Sequence, residues 1–351
     1  MKMKVAIDIN TFNKIKEKDK YEYIIAFDKE DVNDLIKTKA HCIRYDLIDA
    51  VDINLTDYDI EAIKKANIED ENWYELPKVI NHKFAIIVPN YNYEHTIKKC
   101  LDSIFNQTYT NYEIIFVDDM STDDSVKITK QLYEDKLLSD DEFGILKIVQ
   151  LKQKRLNGGA RNEAYLHISE DVDYIYYVDS DDWLYDDTSL EKINRALINE
   201  PDVLFVGLAD YKNGKTDIVY TPMYKDKYEA IQGWSGSCGK VIKKSLATRQ
   251  ECLYPEGTLK EDRTQHRKIC IYMNSFDILK KPVYVWNRVN TKSVTTIRDN
   301  IIWGTSTIRH YADTLQLALS VKGQDEKIDR ILEDAVKKCK KEMESDKDRQ
   351  W

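Results

Sequence analysis

The sequence comprises 351 residues, 42% hydrophobic and 33% charged, with a formal net charge of −9. Such a chain has room for one large α/β domain with an appendage or for two domains, and no apolar run approaches the ~20 residues that cross a bilayer. The six cysteines (42, 100, 238, 252, 270 and 339) form no C-x-x-C pair, which excludes a disulfide framework or a zinc site and fits reduced thiols of the cytoplasm. The N-terminus starts basic, but Asp8 interrupts any signal-peptide core. Charge is uneven: residues 233–351 hold 23 Lys and Arg against 16 Asp and Glu, the remainder 30 against 46. A solvated lysine-rich helix near the end explains this as well as an anionic partner does.

Residues 1–80 are the least informative. Residues 5–9 and 21–27 have strand composition and 57–66 reads as a helix opened by an Asp/Thr cap, with no spacing that belongs to a catalytic site. An accessory segment is expected here, ending at the polar, proline-terminated stretch 70–77. The pattern sharpens at residue 84. Residues 84–88 form a buried strand stopped by Pro89, after which Ile97, Cys100, Leu101, Ile104 and Phe105 recur at helical spacing. A second strand, 113–117, runs into Asp118 and Asp119, and residues 121–125 supply N-cap chemistry for a helix through about Tyr133. Further strands are expected at 146–151, 174–178 and 203–208. Strands alternating with helices predict an α/β fold, a mainly parallel, Rossmann-like sheet with helices on both faces. After Ile301 the chain reads as helices. Ile308, Tyr311, Leu315 and Ala318 give one buried stripe, and Ile328, Ile331, Leu332, Ala335 and Val336 another. The expected plan is an accessory segment 1–80, a main domain 81–298 and a C-terminal helical region 299–351.

The chemistry gathers in Tyr174-Ile-Tyr-Tyr-Val-Asp-Ser-Asp-Asp-Trp183. A short apolar strand runs straight into Asp179, Asp181 and Asp182, at the carboxyl edge where an open α/β sheet binds ligands. At about 4 Å and an effective dielectric of ~20, one such like-charge pair repels by roughly 4 kcal/mol. A divalent cation held by oxygen ligands removes that cost and bridges to a phosphate; a solvated acidic turn before a helix near Thr188 is the plainer alternative. Asp118 and Asp119, at the other strand end, suit a base or ribose, or cap the following helix. No G-x-G-x-x-G follows the first strand and no G-x-x-x-x-G-K-[ST] occurs, which argues against a dinucleotide oxidoreductase and a P-loop NTPase. Phosphates on this sheet need another holder, and a carboxylate-bound metal is the obvious one.

Five ordered blocks resemble the family 2 glycosyltransferases of the GT-A fold: Ile86-Ile-Val-Pro-Asn-Tyr-Asn92, Cys100-Leu-Asp-Ser-Ile-Phe-Asn-Gln-Thr108, residues 113–119 with 121–125, Ala160-Arg-Asn162, and Tyr177-Val-Asp-Ser-Asp-Asp-Trp183. They cover roughly residues 84–190, the donor half. The acceptor half, about 200–298, is matched less fully, by Gly236-Ser-Cys-Gly-Lys240, by 254–262 and by 286–293. The resemblance implies that Pro89, Tyr91 and Glu94 line a uridine pocket and that Asp119 bonds the uracil. It puts Arg161 near the base and diphosphate, and Asn157, Asp179 and Ser180 against the nucleotide sugar, Asp179 by the ribose. Asp181 would ligate Mn²⁺ or Mg²⁺ on the diphosphate. Asp262 becomes the general base of a single inverting displacement, with Glu261, Arg288, Lys292 and Ser293 on the acceptor side or at the diphosphate.

Elementary chemistry agrees with these roles. A positioned carboxylate that takes a hydroxyl proton is worth ~10²–10⁴ in rate, and a metal with Arg161 offsets the charge of departing UDP. Three positions depart from the family pattern: Met120 stands where glycine is usual, the 157–161 loop is short, and Cys238 replaces a frequent tryptophan. Plainer readings stand beside some roles, with Asp262 as the start of a solvated helix, His266 as a surface residue and Arg288 as a structural ion-pair partner. The expected function is a cytoplasmic, metal-dependent transfer of a hexose or N-acetylhexosamine from a UDP-sugar donor to a hydroxyl of a glycan or polyol-phosphate acceptor, in surface polysaccharide or teichoic-acid-like synthesis. The same chemistry on a modified base of DNA is one alternative and a non-catalytic nucleotide-sugar binding module another. A nucleotidyltransferase would need a glycine- and lysine-rich phosphate loop that the sequence lacks.

Overall fold

The computed structural model describes four short strands within residues 1–79, and then residues 80–139, 144–289 and 300–347. Two compact units emerge, Met1–Ile80 with Asn194–Asn199, and Asn81–Ile193 with Glu200–Trp351. In the first, β1 (Lys4–Ala6), β2 (Tyr23–Ala26), β3 (His41–Arg44) and β4 (Trp73–Glu75) form a sheet of order β3-β2-β1-β4. Strand β1 runs parallel to β2 and antiparallel to β4. The helix expected at 57–66 lies outside the described residues.

The second unit begins as its sequence predicts. Strands β5 (Phe84–Asn90) and β6 (Tyr112–Asp118) are buried at every residue, as a sheet covered on both faces requires. Helix α1 (Ile97–Phe105) buries the five apolar residues that recur at helical spacing. After β6 come α2 (Ser125–Ser139), β7 (Ile145–Gln150), α3 (Leu156–Tyr165) and β8 (Tyr174–Tyr177), and β7, β6, β5 and β8 lie side by side, all parallel. Pro89 does not stop β5; the strand continues through it, with Pro89 opposite Val117. Pairing with β8 ends at Ile87, so beyond it no ladder on that flank needs the amide that proline lacks.

The rest of the sheet is less regular. It is built from β9 (Trp183–Leu184), β10 (Val203–Lys212), β11 (Lys215–Tyr220), β12 (Lys240–Lys243) and β13 (Phe276–Asn287), which the helices α4 (Ser189–Ala196), α5 (Lys227–Ile231), α6 (Lys244–Ala247) and α7 (Glu261–Tyr272) interrupt. The order is β7-β6-β5-β8-β12-β10-β13-β9, with β11 on β10. Strand β12 is antiparallel to both its neighbours and joins the parallel half to the remainder.

Helices α8 (Asn300–Val321) and α9 (Glu326–Lys347) close the chain within this unit. The stripe expected on α8 is not the buried one: Ile308 is 49% exposed, and Tyr311, Leu315 and Ala318 are half-buried. Ser306, Thr307, His310 and Thr314 are buried instead, followed by Leu317 and Val321. The four polar residues have hydrogen-bond partners beneath them, and paired polar groups can be buried where unpaired ones cannot. On α9, Ile328, Leu332 and Ala335 are buried as expected, whereas Ile331 and Val336 of the same stripe are half-buried.

Candidate active site

The loops at the carboxyl ends of β5 and β6 are stitched together by side chains. Asn90 donates through Nδ2 to Asp118 Oδ1 and Ser125 Oγ, each at 2.9 Å, and Asn92 Oδ1 accepts the Thr122 amide at 2.8 Å. Glu94 belongs to the same knot, its amide bonded to Asp123 Oδ2 and its Oε2 accepting from the Asp124 amide. The turn between them puts Met120 at φ +65°, a left-handed conformation that glycine adopts freely. Asp119, one residue earlier, accepts the Arg155 amide on Oδ1 (2.7 Å) and the Leu156 amide on Oδ2 (2.8 Å). It thus ties the start of α3, not that of the following helix α2. Burial holds its carboxyl above the usual range, against the pull of those two amides and of Lys154.

Helix α3 places Arg161 at the centre of the site. Its guanidinium is almost wholly buried and reaches Asp179 Oδ1 at 2.7 Å and Glu261 Oε1 at 2.9 Å. The Tyr254 and Tyr177 rings lie 5.3 and 5.8 Å away, within cation–π range. Its Nε has no acceptor among the described residues. Burial pushes the Glu261 carboxyl up to about 7, with Arg161 opposing and Asp262 adding to the rise. Asp182 accepts from Tyr284 O–H at 2.6 Å and from the Asn287 amide at 2.8 Å. Burial, then Asp181 and Asp179, nevertheless hold Asp182 well above the ordinary carboxylate range. Burial and the same carboxylates raise the Tyr93 hydroxyl and the Cys100 thiol.

These groups surround a cavity of about 200 Å³. Of the residues expected in a site, Pro89, Asn157, Arg161, Asp179, Ser180, Asp181, Glu261 and Asp262 line it. The Ser180 hydroxyl is committed to the Pro89 carbonyl at 2.7 Å, so it ties the turn after β8 to the end of β5. Tyr91, Glu94, Asp119 and Arg288 are not in the lining. Lys154 Nζ sits 2.8 Å over the Tyr91 ring, and the Arg288 guanidinium stacks at 3.4 Å on Trp286 and faces Asp210 at 3.6 Å. Lys292 and Ser293 lie outside the described residues. His266 is a buried residue, not a surface one; its Nε2 is 2.7 Å from the Ala230 carbonyl and burial keeps its pKa well below the ordinary value.

Sequence reasoning missed Tyr93, Trp234 and Trp286 in the cavity wall. A signal for Trp234 existed in the spacing of the glycines that follow it. A Cβ on Gly236 or Gly239 would come within 2.1 or 2.4 Å of its ring, so both positions leave room for the indole. The ring lies 6.2 Å from that of Trp286, across the same wall.

Among the described residues, no three His, Cys, Asp or Glu side chains form a cage for a metal. The donor chemistry still suits Mn²⁺ or Mg²⁺. Such ions are commonly held by one or two carboxylates, with phosphate oxygens and water completing the shell. After burial, the field of the neighbouring carboxylates adds to the rise of Asp182 and Tyr93, and that contribution is of the sign a cation relieves.

A largely parallel sheet whose strand ends carry an acid-rich cavity, with no glycine phosphate loop, is the GT-A arrangement. Residues 85–253 match the model of Glycosyl transferase family 2, and that stretch is a domain of this family. Glycosyltransferase GlyA of Streptococcus pneumoniae serotype 4 is 30% identical over 230 residues, 59% of this chain and 31% of that protein. The poly(ribitol-phosphate) β-N-acetylglucosaminyltransferase TarS of Staphylococcus aureus is 28% identical over 215 residues, 58% of this chain and 35% of that one. The Escherichia coli UDP-Glc:α-D-GlcNAc-diphosphoundecaprenol β-1,3-glucosyltransferase WfaP is 28% identical over 222 residues, 62% of this chain and 74% of that one. The match thus spans about a third of the length of GlyA and TarS. The crystal structure of S. aureus TarS 1–349 with UDP-GlcNAc superposes with a TM-score of 0.58 at 22% identity, over 71% of this chain and 70% of that one, a likeness of fold.

Proposed function

We propose that the protein is a metal-dependent, inverting glycosyltransferase that moves a hexose or N-acetylhexosamine from a UDP-sugar to an acceptor hydroxyl. The observation that carries this reading is the convergence of Arg161, Asp179, Asp181 and Asp262 on one cavity. In that reading Asp262 takes the proton of the acceptor hydroxyl, whose oxygen bonds the anomeric carbon as the bond to the diphosphate breaks and UDP leaves with the electron pair. Asp262 lies in the first turn of α7, at the edge of the cavity. Arg161 contributes a fixed positive charge, oriented by Asp179 and Glu261, with its Nε as a further donor. Asp119 retains lone pairs for the nucleobase beyond the two amides it already accepts. Asp181 would hold Mn²⁺ or Mg²⁺, which when bound neutralises charge on the departing diphosphate. Relatives named for poly(ribitol-phosphate) and for a diphosphoundecaprenol-linked sugar favour a glycan or polyol-phosphate acceptor over a DNA base.

The test is UDP release from a panel of UDP-sugars with Mn²⁺, alongside UDP titration. Asp181→Ala is expected to lose metal-dependent UDP binding and turnover together. Asp262→Asn should keep UDP affinity while turnover falls by roughly a hundredfold or more. Full activity in Asp181→Ala would remove the metal assignment, and normal turnover in Asp262→Asn would remove the base.

A further inference from the structure

We propose that α8 and α9 form part of the catalytic apparatus, with the Lys260–Glu342–Thr307 cluster acting as a positioning device for Asp262; this rests on the reading of Asp262 as the base. Lys260 directly precedes α7 and is 3% exposed. Its ammonium donates to Glu342 Oε1 of α9 at 2.6 Å and to Thr307 Oγ of α8 at 2.9 Å, and it lies 4.8 Å from the Trp303 ring centroid. Glu342 Oε2 also faces Arg263, at 3.5 Å. On the approach to the helix, Ser306 Oγ accepts the Leu259 amide at 3.1 Å and the Ser306 carbonyl accepts from Thr258 Oγ at 3.3 Å. Beyond Asp262, Thr264 Oγ meets His310 Nδ1 at 3.2 Å and Arg267 donates to Thr314 Oγ at 3.4 Å.

The segment carrying Asp262 is therefore tied before, beside and after that residue. The ties on α8 come from positions 303, 306, 307, 310 and 314, a single helical face. A buried polar face is costly unless its members are paired, and this one pairs with the segment that presents the base. The opposite side of the segment is fixed as well. Glu261 is bonded to Arg161, and Gly158 of α3 comes so close that a Cβ there would stand 2.3 Å from the Pro255 carbonyl oxygen. Asp262 is held between two walls, and only one of them belongs to the stretch that matches the family model. General bases need such fixing, since a misplacement of about 1 Å costs on the order of 10² in rate.

Removing one partner of a buried ion pair strands a charge, whereas replacing both by apolar side chains is milder. The experiment therefore uses full-length Glu342→Gln, Lys260→Arg and the double variant Lys260→Met/Glu342→Met, which guards against simple unfolding. UDP affinity, kcat and KM on UDP-glucose and UDP-N-acetylglucosamine, and amide exchange of residues 258–264 are measured for each. The double variant and Glu342→Gln are expected to keep UDP affinity and donor KM within about twofold while kcat falls about tenfold and exchange of those amides quickens by a similar factor. Lys260→Arg, which preserves the charge, should recover most of kcat. A folded double variant with wild-type kcat and wild-type exchange would overturn the proposal; where donor turnover is too slow to follow, exchange alone decides. If Asp262→Asn turns over normally, the base assignment itself fails. If Asp262→Asn is slow while the double variant is normal, only the positioning role fails.

Discussion

At the scale of single residues, Asp181, Arg161 and Asp179 were legible because a short motif places each beside the strand or helix that carries it. Met120 was legible only as a departure, and the backbone supplies its reason. Its φ of +65° lies in the region that costs a side-chain-bearing residue roughly 1–2 kcal/mol. The side chain is 46% exposed, so removing it sacrifices little packing. Glycine gives back about 0.4–1 kcal/mol through the freedom of the unfolded chain. Met120→Gly is therefore expected to stabilise by on the order of 0.5–1 kcal/mol, read as a higher urea midpoint at unchanged slope. A lower midpoint would show that the turn has another cause. Leu156 shares this strain at φ +58°, beside the amides that Asp119 binds, and no motif in the sequence announces it.

At the scale of elements, strands buried on both faces declared themselves through unbroken apolar runs, and α1 through its spacing. Strand β12 did not. It has four residues with a lysine at each end, and Lys240 is wholly buried because its ammonium donates to the Ser235 and Gly236 carbonyls. Helix α8 misled for a related reason, since its buried face follows hydrogen-bond partners and not hydropathy. That face carries a pH dependence. Burial first, then Arg267, Arg263 and Lys260, pulls His310 from 6.5 down to about 3, so the folded protein keeps the ring neutral. A depressed folded pKa contributes stability that is complete above the unfolded value and drains away as pH falls toward the folded one. Between pH 6.5 and the acid range, wild type is thus expected to lose Tm more steeply than His310→Gln, as differential scanning across a pH series would reveal. Parallel profiles would mean that the histidine is not the titrating group.

At the scale of the whole molecule, the alternating plan of the donor half could be read from the sequence, while the assembled cavity could not. Its wall draws Tyr93, Trp234 and Leu259 from three separate connections and Trp286 from the end of β13, and only the sheet order brings them together. Asp262 stands outside the stretch that matches the family model, and the Lys260–Glu342 bond joins residues 82 positions apart, beyond the reach of any local pattern. The position of β12 has a consequence for the order in which the chain is made. Strands β8 and β10 both leave the ribosome before the short strand that must lie between them, β12 at Lys240–Lys243. Until it arrives, two apolar strands in the middle of the future sheet present open hydrogen-bonding edges to whatever else is nearby, a hazard of the kind that mature proteins bury or charge. Docking of those four residues, lysine at either end, converts two exposed edges into one interior, and β13 follows to cover the far edge of β10.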